Sequence, residues 1–239
     1  MDPTDNLHSL HAHEEKLRTQ SLEVISKDPD LTNHWKMVSE AMNMIYAFSK
    51  EYPHESDDEL TLQLLGIRLF NAAGASVRLA LAGYYQKAFD QLRDVLETYF
   101  LVDYLRDNPS KISEWKAADK KARIAHFGPS KIRNALDKRN GFTSGERKRI
   151  YDLISEHASH ASYPGFSLTT NKDGLGEIGP FFDEKKLRVW LNELATRLCH
   201  AAVILAADHE GRNWKLLATR GHYLDHVHEW TARYLISKA

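Results

Sequence analysis

Residues 57–82 read DDELTLQLLGIRLFNAAGASVRLALA, and residues 85–106 read YQKAFDQLRDVLETYFLVDYLR. Apolar residues recur every three or four positions in both stretches, which is the period of an α-helix that buries one face. Asp57, Asp58 and Glu59 place negative charge at the first turn, where the helix dipole favours it. Gly83 allows a tight turn between the two stretches, so the sequence predicts an antiparallel helix hairpin.

The first helix of this hairpin carries many small residues from Gly66 onward. They are Gly66, Ala72, Ala73, Gly74, Ala75, Ser76, Ala80 and Ala82. Glycine costs roughly 1 kcal/mol in a helix interior relative to alanine. We therefore expect another element to pack closely against this face.

Helical periodicity extends along most of the remaining chain. Breaks at Gly128-Pro129 and Asn140-Gly141 divide residues 110–160 into three short helices, and Thr143 or Ser144 is the expected cap of the third. Asp183 is the expected cap of a long helix that follows it. The last two helices have apolar stripes at helical spacing: Leu187, Trp190, Leu191, Leu194, Leu198, Ala202 and Leu205 in one, and Trp214, Leu217, Leu224, Val227 and Tyr234 in the other.

These patterns predict an all-α fold, a single-domain helical bundle around the hairpin. Residues 166–181 alternate around a glycine-containing turn, which is typical of a minor β-hairpin or an ordered loop. The expected organisation of residues 1–239 is N-terminal helices at 1–56, the hairpin at 57–106, short basic helices at 107–165, the hairpin or loop at 166–182, and two C-terminal helices at 183–239.

The composition is that of a soluble globular chain, with 239 residues, 42% hydrophobic and 27% charged. These values exclude collagen-like and disordered chains. No uncharged apolar run approaches the roughly 20 residues that cross a bilayer, so we expect no membrane segment. Cys199 is the single cysteine, so an intrachain disulfide is impossible, and we predict a cytoplasmic protein.

Charge is distributed unevenly along the chain. Residues 1–60 contain 5 Lys/Arg and 13 Asp/Glu, whereas residues 111–149 contain 12 Lys/Arg and 4 Asp/Glu. Either the two segments neutralise each other, within one chain or across a dimer, or the basic stretch at 111–149 meets a polyanion such as RNA. Both interpretations remain open at this stage.

Charged residues interrupt the apolar lines of the hairpin. Asn71 and Arg78 lie on a line of otherwise apolar residues in the first helix: Leu60, Leu64, Ile67, Gly74 and Leu81. Arg93 and Glu97 lie between Phe89 and Phe100 in the second. Because a half-buried charge needs a partner, Arg78, Arg93 and Glu97 are expected to share a network, which either fixes helix register or lines a cleft. We expect Glu97 to pair with Arg93 or with a histidine outside the hairpin.

Histidines close the third short helix. His157 and His160 are three residues apart, which places them on one helical face, and Ser159, Ser162 and Tyr163 add hydroxyl groups. Histidine acts as a general base, a ligand or a helix cap, so this end is either a polar helix terminus or part of a site. His222 and His226 have the spacing of two zinc ligands, yet no third ligand follows; we predict no metal and no cofactor.

The order of these features resembles an uncharacterised all-helical bacterial protein family of unknown function that is itself distantly HEPN-like. The resemblance rests on the small-residue helix, Gly83-Tyr-Tyr, the spacing of Ala88, Arg93 and Glu97, and Ser155 with His157, His160 and Ser162. Several HEPN-type proteins are RNases of toxin or antiphage systems that act as dimers. The resemblance implies a fold of packed helices, action on RNA and a homodimer.

Two functions follow as hypotheses. In the first, the protein binds or cleaves RNA at a catalytic site lined by Arg78, Arg93, Glu97, His157 and His160. The arginines would hold phosphate and a histidine would move the proton of the attacking hydroxyl, while residues 111–149 supply sequence-independent affinity. In the second, the protein is a non-enzymatic interaction module that dimerises or docks a partner.

Overall fold

The structure, a computed structural model, describes residues 3–206 and 214–235, with side chains for 6–206 and 217–235, and most of these residues are helical. The all-α prediction is confirmed. The N-terminal half contains α1 (Pro3–Lys27), α2 (Pro29–Tyr46), α3 (Asp57–Leu81) and α4 (Tyr85–Asp107). The remainder contains α5 (Ser110–Ala117), α6 (Lys120–Phe127), α7 (Pro129–Asn140), α8 (Glu146–Ile154), α9 (Glu184–Ala206) and α10 (Trp214–Tyr234).

Helices α3 and α4 form the predicted antiparallel hairpin around Gly83. Ser56 caps α3 by accepting a hydrogen bond from the Glu59 amide. Gly83 has a φ of 91°, and a Cβ at this position would lie 2.5 Å from the Phe181 carbonyl oxygen. Only glycine satisfies both conditions. The close approach of Phe181 to Gly83 also anchors the loop that precedes α9 to this turn.

Five of the small residues of α3 lie on its buried face, as the sequence predicts: Gly66, Ala72, Ala73, Ser76 and Ala80. A Cβ on Gly66 would clash with the Ser49 hydroxyl oxygen, which shows how closely the segment after α2 approaches. The line that contains Arg78 is on the other side of the helix, and Leu64, Asn71 and Arg78 are all exposed. The expectation that Arg78 interrupts a buried stripe was therefore wrong. Helix α3 has two apolar lines, and the line of small residues is the one that packs against the neighbouring helices.

Helices α2 and α9 pack together and against the hairpin, and α10 packs mainly on α2. Asp28 caps α2 by accepting from the amides of Asp30 and Leu31, and the Asp183 carboxylate caps α9 by accepting from the Lys186 amide. The predicted α9 stripe is buried along its whole length. These caps and stripes confirm the corresponding predictions.

The buried face of α10 matches the predicted one only in part, since Val227 and Tyr234 pack against the core. Tyr223, His226 and Trp230 are buried, whereas Leu217 and Leu224 are exposed; the Trp214 side chain lies outside the described residues. The Tyr223 hydroxyl donates to the Cys199 carbonyl, and Trp230 Nε1 donates to His34 Nδ1 at 3.1 Å. Tyr223 and Trp230, whose polar atoms are hydrogen-bonded, thus take the buried positions that were predicted for Leu217 and Leu224.

Four short helices, rather than the predicted three, follow the hairpin. The extra break falls at Ala118, because Asp119 caps α6 by accepting from the Ala122 amide at 2.7 Å. The predicted caps of the last short helix, Thr143 and Ser144, are not used: α8 begins after Gly145, which has a φ of 67° and no side chain to offer.

The segment between α8 and α9 is an ordered loop. After α8 the chain widens into a π-helical turn at Ser155–Ser159 and then forms a 3₁₀-helix at Pro164–Leu168. A single isolated antiparallel bridge joins Thr170 to Gly176, and no strand is present in the described residues. Of the two predicted alternatives, the ordered loop is therefore the one that forms.

Helix α3 is the one described helix with the length and apolar composition to cross a membrane. Its small-residue face is buried against α4, α2 and α9. This packing as a core helix accounts for its composition.

Candidate functional site

Arg93 and Glu97 of α4 form a half-buried ion pair that is hydrogen-bonded to Tyr151 of α8. Arg93 Nε donates to Glu97 Oε1 at 3.0 Å, as i,i+4 spacing allows. The Tyr151 hydroxyl donates to the same carboxylate oxygen at 2.7 Å and accepts from Arg93 at 2.8 Å. Glu97 is thus paired with Arg93, one of the two predicted alternatives, and with a tyrosine in place of the expected histidine.

A second arginine stacks on the same tyrosine. The Arg133 guanidinium carbon lies 3.9 Å from the centre of the Tyr151 ring, and Arg93 lies 5.1 Å from it. Arg133 is only 6% exposed, and its Nε and Nη1 atoms have no hydrogen-bond partner. We call Arg93, Glu97, Arg133 and Tyr151 the polar cluster; it contains two cations and one carboxylate.

The electrostatics of the polar cluster keep Tyr151 protonated. Burial raises the pKa of Tyr151 above its ordinary value, and the hydrogen bond to the Glu97 carboxylate raises it further. Burial alone would lower the pKa of Arg93, but the Glu97 charge and the hydrogen bonds to Tyr151 and Glu97 together outweigh it, and the net pKa is raised. Tyr151 is therefore a neutral phenol that is held between the Arg93 guanidinium and the Glu97 carboxylate.

The other three predicted site residues lie apart from the polar cluster. In the part of the chain that the structure describes, no hydrogen bond or ion pair joins Arg78, His157 or His160 to Arg93 or Glu97. Arg78 is exposed at the end of α3 and acts electrostatically on Glu14. His157 lines a separate cavity, and His160 is exposed.

The π-helical turn explains why the two histidines do not act together. The His160 amide bonds to the Ser155 carbonyl at 3.0 Å, five residues back, and His160 itself is extended. The three-residue spacing therefore does not place the rings on one α-helical face. His157 Nδ1 donates instead to the Leu153 carbonyl of the preceding turn, at 3.0 Å.

The basic stretch at 111–149 divides into paired and unpaired cations. Six cations form ion pairs with acidic residues: Lys111, Lys116, Arg139, Arg147, Lys148 and Arg149. Only the pairs of Lys116 with Asp57 and Asp58 reach the acidic N-terminal segment. Mutual neutralisation of the two segments is therefore limited to one contact among the described residues.

Five exposed cations on α6 and α7 have no ion pair in the described structure. They are Lys120, Lys121, Arg123, Lys131 and Lys138, which we call the cationic surface. Lys131 and Lys138 are seven residues apart on α7, whose Ile132, Arg133 and Leu136 are buried, so both lie on its exposed side. The cationic surface is adjacent in sequence to Arg133 of the polar cluster.

A cavity of about 330 Å³ connects the cationic surface with the polar cluster. Arg123 and Trp115 lie in its wall together with Glu97 and Phe127. Arg68 of α3 also borders it and forms an ion pair with Asp94 at 2.6 Å. We call this space the α5–α7 cavity. It combines an aromatic surface with cations at its edge.

Sequence reasoning missed Tyr151, Arg133 and Trp115. Each stands in a short helix whose hydrophobic pattern is too brief to show which face is buried. The available signal for Arg133 was its place between two buried apolar residues, Ile132 and Leu136. No group of three or more metal-ligating side chains occurs in the described residues.

No protein-family model, curated protein or solved structure matches this chain. These comparisons give no support to a relationship with HEPN-type proteins, which rests only on the sequence features quoted above.

Proposed function

We propose that the protein binds single-stranded RNA, with the cationic surface as the phosphate-binding element. The observation that carries the proposal is the group of five exposed cations on α6 and α7 without ion pairs. Of the other cations in the same basic stretch, six are paired with acidic residues, and the buried Arg133 stacks on Tyr151. Unpaired lysines and arginines on adjoining helices attract the phosphate backbone irrespective of sequence.

The α5–α7 cavity supports a single-stranded ligand. Single-strand binding proteins combine a positively charged track with aromatic side chains on which bases stack. Trp115 is partly exposed and lines the cavity, and Arg123 belongs to both the cavity and the cationic surface. An unpaired base can enter a cavity of this size, whereas a base held in a duplex cannot leave its stack without cost.

Binding is better supported than cleavage. The cleavage hypothesis needs a histidine beside the phosphate-binding arginines to move a proton, and His157 and His160 both lie apart from Arg93. Glu97 accepts hydrogen bonds from Arg93 and Tyr151, so its carboxylate is already engaged. The polar cluster is arranged to hold its charges in place.

The test is the affinity of a labelled single-stranded RNA at low salt, followed by fluorescence anisotropy. We expect replacement of Lys120, Lys121, Lys131 and Lys138 by alanine to weaken binding at least about tenfold, because four phosphate contacts are lost. A duplex of the same sequence is expected to bind the native protein more weakly than the single strand. Absence of RNA binding by the native protein at low salt would overturn the proposal.

A matched variant controls for loss of charge. Lys16, Lys87, Lys172 and Lys185 are also exposed and have no ion pair in the described structure, and they lie outside α5–α8. Replacing these four by alanine changes the net charge equally. We expect this variant to bind RNA as the native protein does.

Partner docking is a second candidate function, favoured by a loop with exposed apolar side chains. Tyr163, Phe166, Leu175 and Ile178 are all exposed in the segment between α8 and α9. We propose that this loop dimerises the protein. Light scattering should then show a dimer that Leu175→Asp with Ile178→Asp converts to a monomer; a native monomer at high concentration would exclude it.

A further inference from the structure

Two carboxylates lie in the wall of the α5–α7 cavity. Asp94 and Glu97 are three residues apart on α4, so they lie on one face of that helix. Their side chains are 30% and 32% exposed, which makes them accessible to a molecule inside the cavity. The α4 wall of the cavity therefore presents hydrogen-bond acceptors.

Each of these carboxylates has one engaged oxygen and one free oxygen. Glu97 Oε1 accepts from Arg93 and from Tyr151. Asp94 Oδ1 accepts twice from Arg68, at 3.0 and 2.6 Å. No hydrogen bond within the described structure reaches Glu97 Oε2 or Asp94 Oδ2. Because an ionised carboxylate can only accept, these two oxygens favour a ligand that brings N–H donors.

Guanine is the RNA base with the most suitable donors. Its Watson–Crick edge carries N1–H beside the N2 amino group, so two neighbouring N–H groups point in the same direction. Adenine and cytosine place one amino group beside an acceptor nitrogen, and uracil has one N–H between two carbonyl oxygens. Proteins read unpaired bases by such contacts to the Watson–Crick edge, and an acceptor placed against a carboxylate oxygen cannot form a hydrogen bond.

Two other side chains of the cavity suit the rest of a guanine ring. Trp115 offers an aromatic face on which a base stacks. Arg68 is 60% exposed and donates to Asp94 through Nε and Nη2, which leaves its Nη1 donors for an acceptor on the ligand. Arginine commonly donates to O6 and N7 of guanine.

We propose that the α5–α7 cavity is selective for guanine, with Glu97 Oε2 and Asp94 Oδ2 accepting from N1–H and the N2 amino group. Trp115 stacks on the ring and Arg68 donates to O6. The inference rests on the proposed function, because the guanine belongs to the bound single strand. It adds a preference for one base to an affinity that the cationic surface makes independent of sequence.

The test compares free nucleoside monophosphates by NMR, with the Trp115 indole N–H signal as the reporter; Trp115→Phe assigns that signal. We expect GMP to bind at least about tenfold more tightly than AMP, CMP or UMP, since two additional hydrogen bonds are formed. IMP, which lacks the N2 amino group, should bind about threefold or more weakly than GMP. Equal affinity for GMP and AMP, or a Trp115 signal that does not move at millimolar GMP, would overturn the proposal.

Two amide variants locate the selectivity. Glu97→Gln keeps an acceptor for Arg93 and Tyr151 and replaces the free oxygen by an amino donor, so GMP and AMP should bind within about threefold of each other. Asp94→Asn makes the same change at the second carboxylate and serves as an independent variant if Glu97→Gln disturbs the polar cluster. Glu114→Gln is the charge control: Glu114 pairs with Lys111 on α5 and lies outside the cavity wall. It should retain the preference for GMP, and the same preference in all three variants would contradict the assignment.

The guanine preference and RNA binding can fail separately. We expect an oligouridine that contains one guanosine to bind the native protein more tightly than oligouridine itself. Replacing Lys120, Lys121, Lys131 and Lys138 by alanine should weaken both complexes and leave the guanosine advantage, because none of these lysines lines the cavity. RNA binding without a guanosine advantage would overturn the guanine inference alone, whereas selective binding of GMP without RNA binding would overturn the RNA proposal alone.

Discussion

Ser76 links three helices through one buried hydroxyl group. It donates to the Ala88 carbonyl of α4 at 2.8 Å and accepts from Trp190 Nε1 of α9 at 2.9 Å. Both Ser76 and Trp190 are completely buried. The small-residue face of α3 thus does more than admit a neighbouring helix, since it also satisfies the indole of the largest core residue in α9.

Ser76→Ala is expected to destabilise the protein by about 1–3 kcal/mol, because the Trp190 indole N–H is left buried without an acceptor. Urea unfolding followed by circular dichroism measures the change. Ser26→Ala is the control: its exposed hydroxyl bonds within its own helix, so the midpoint should hardly move. A Ser76→Ala midpoint equal to that of the native protein would contradict this contact.

The buried His226 makes the stability of the protein depend on pH. It is buried against α2, and neither ring nitrogen has a hydrogen-bond partner. Burial lowers the pKa of His226, the Lys36 charge lowers it further, and Glu40 and Glu229 oppose the shift. The unfolded chain therefore binds the proton more readily than the folded protein does, so stability is lost as pH falls below the unfolded pKa of about 6.5.

We expect His226→Phe to remove this part of the pH dependence while filling a similar volume. The measurement is the urea midpoint between pH 7.5 and pH 5. The native protein should lose stability across this range and the variant should lose less. A variant whose midpoint falls with pH as steeply as that of the native protein would show that His226 is not responsible.

At the scale of the helix, Asp28 stabilises the start of α2 and connects it to α9. Its carboxylate accepts from the amides of Asp30 and Leu31 and lies 2.8 Å from Arg188. The bond from the Leu31 amide lowers the pKa of Asp28, and Arg188 lowers it further. The stabilisation is therefore present above the unfolded pKa of about 3.9 and is lost as pH falls through the lower folded value.

Asp28→Ala should cost about 0.5–2 kcal/mol, the usual loss for an N-cap. Asp28→Asn retains an acceptor for the amides but loses the charge that faces Arg188, so its loss should be smaller. Thermal unfolding at pH 7 ranks the three proteins. Equal melting temperatures for Asp28→Ala and the native protein would contradict the capping role.

The elements also show which predictions a sequence can support. Long helices with strong periodicity, such as α3, α4 and α9, begin and end close to the predicted residues. The face that each helix buries is harder to predict, because α3 and α10 each carry two apolar lines. In α3 the buried line is the one that contains Ser76, and in α10 it is the one that contains Trp230. The π-helical turn at Ser155–Ser159 leaves no clear signal in the sequence, so the geometry of His157 and His160 could not be predicted.

At the scale of the molecule, the predicted site residues lie in separate parts of the fold. Arg93 and Glu97 are bonded, as their spacing predicted, because i,i+4 pairs depend only on one helix. The partners Tyr151 and Arg133 come from helices 54 and 36 residues after Glu97, and contacts over such distances cannot be deduced from local patterns. The composition of residues 111–149 identified the basic region, while the structure separates its paired cations from the unpaired ones.

The salt dependence of RNA binding tests the central claim most directly. Each lysine that neutralises a phosphate of a single strand contributes about 0.7 to the slope of log affinity against log salt concentration. Replacing Lys120, Lys121, Lys131 and Lys138 by alanine should therefore make the slope shallower by about 2.8, whereas the matched replacement of Lys16, Lys87, Lys172 and Lys185 should leave it unchanged. The same slope in all three proteins, or an equal change in both variants, would contradict the cationic surface as the RNA-binding element.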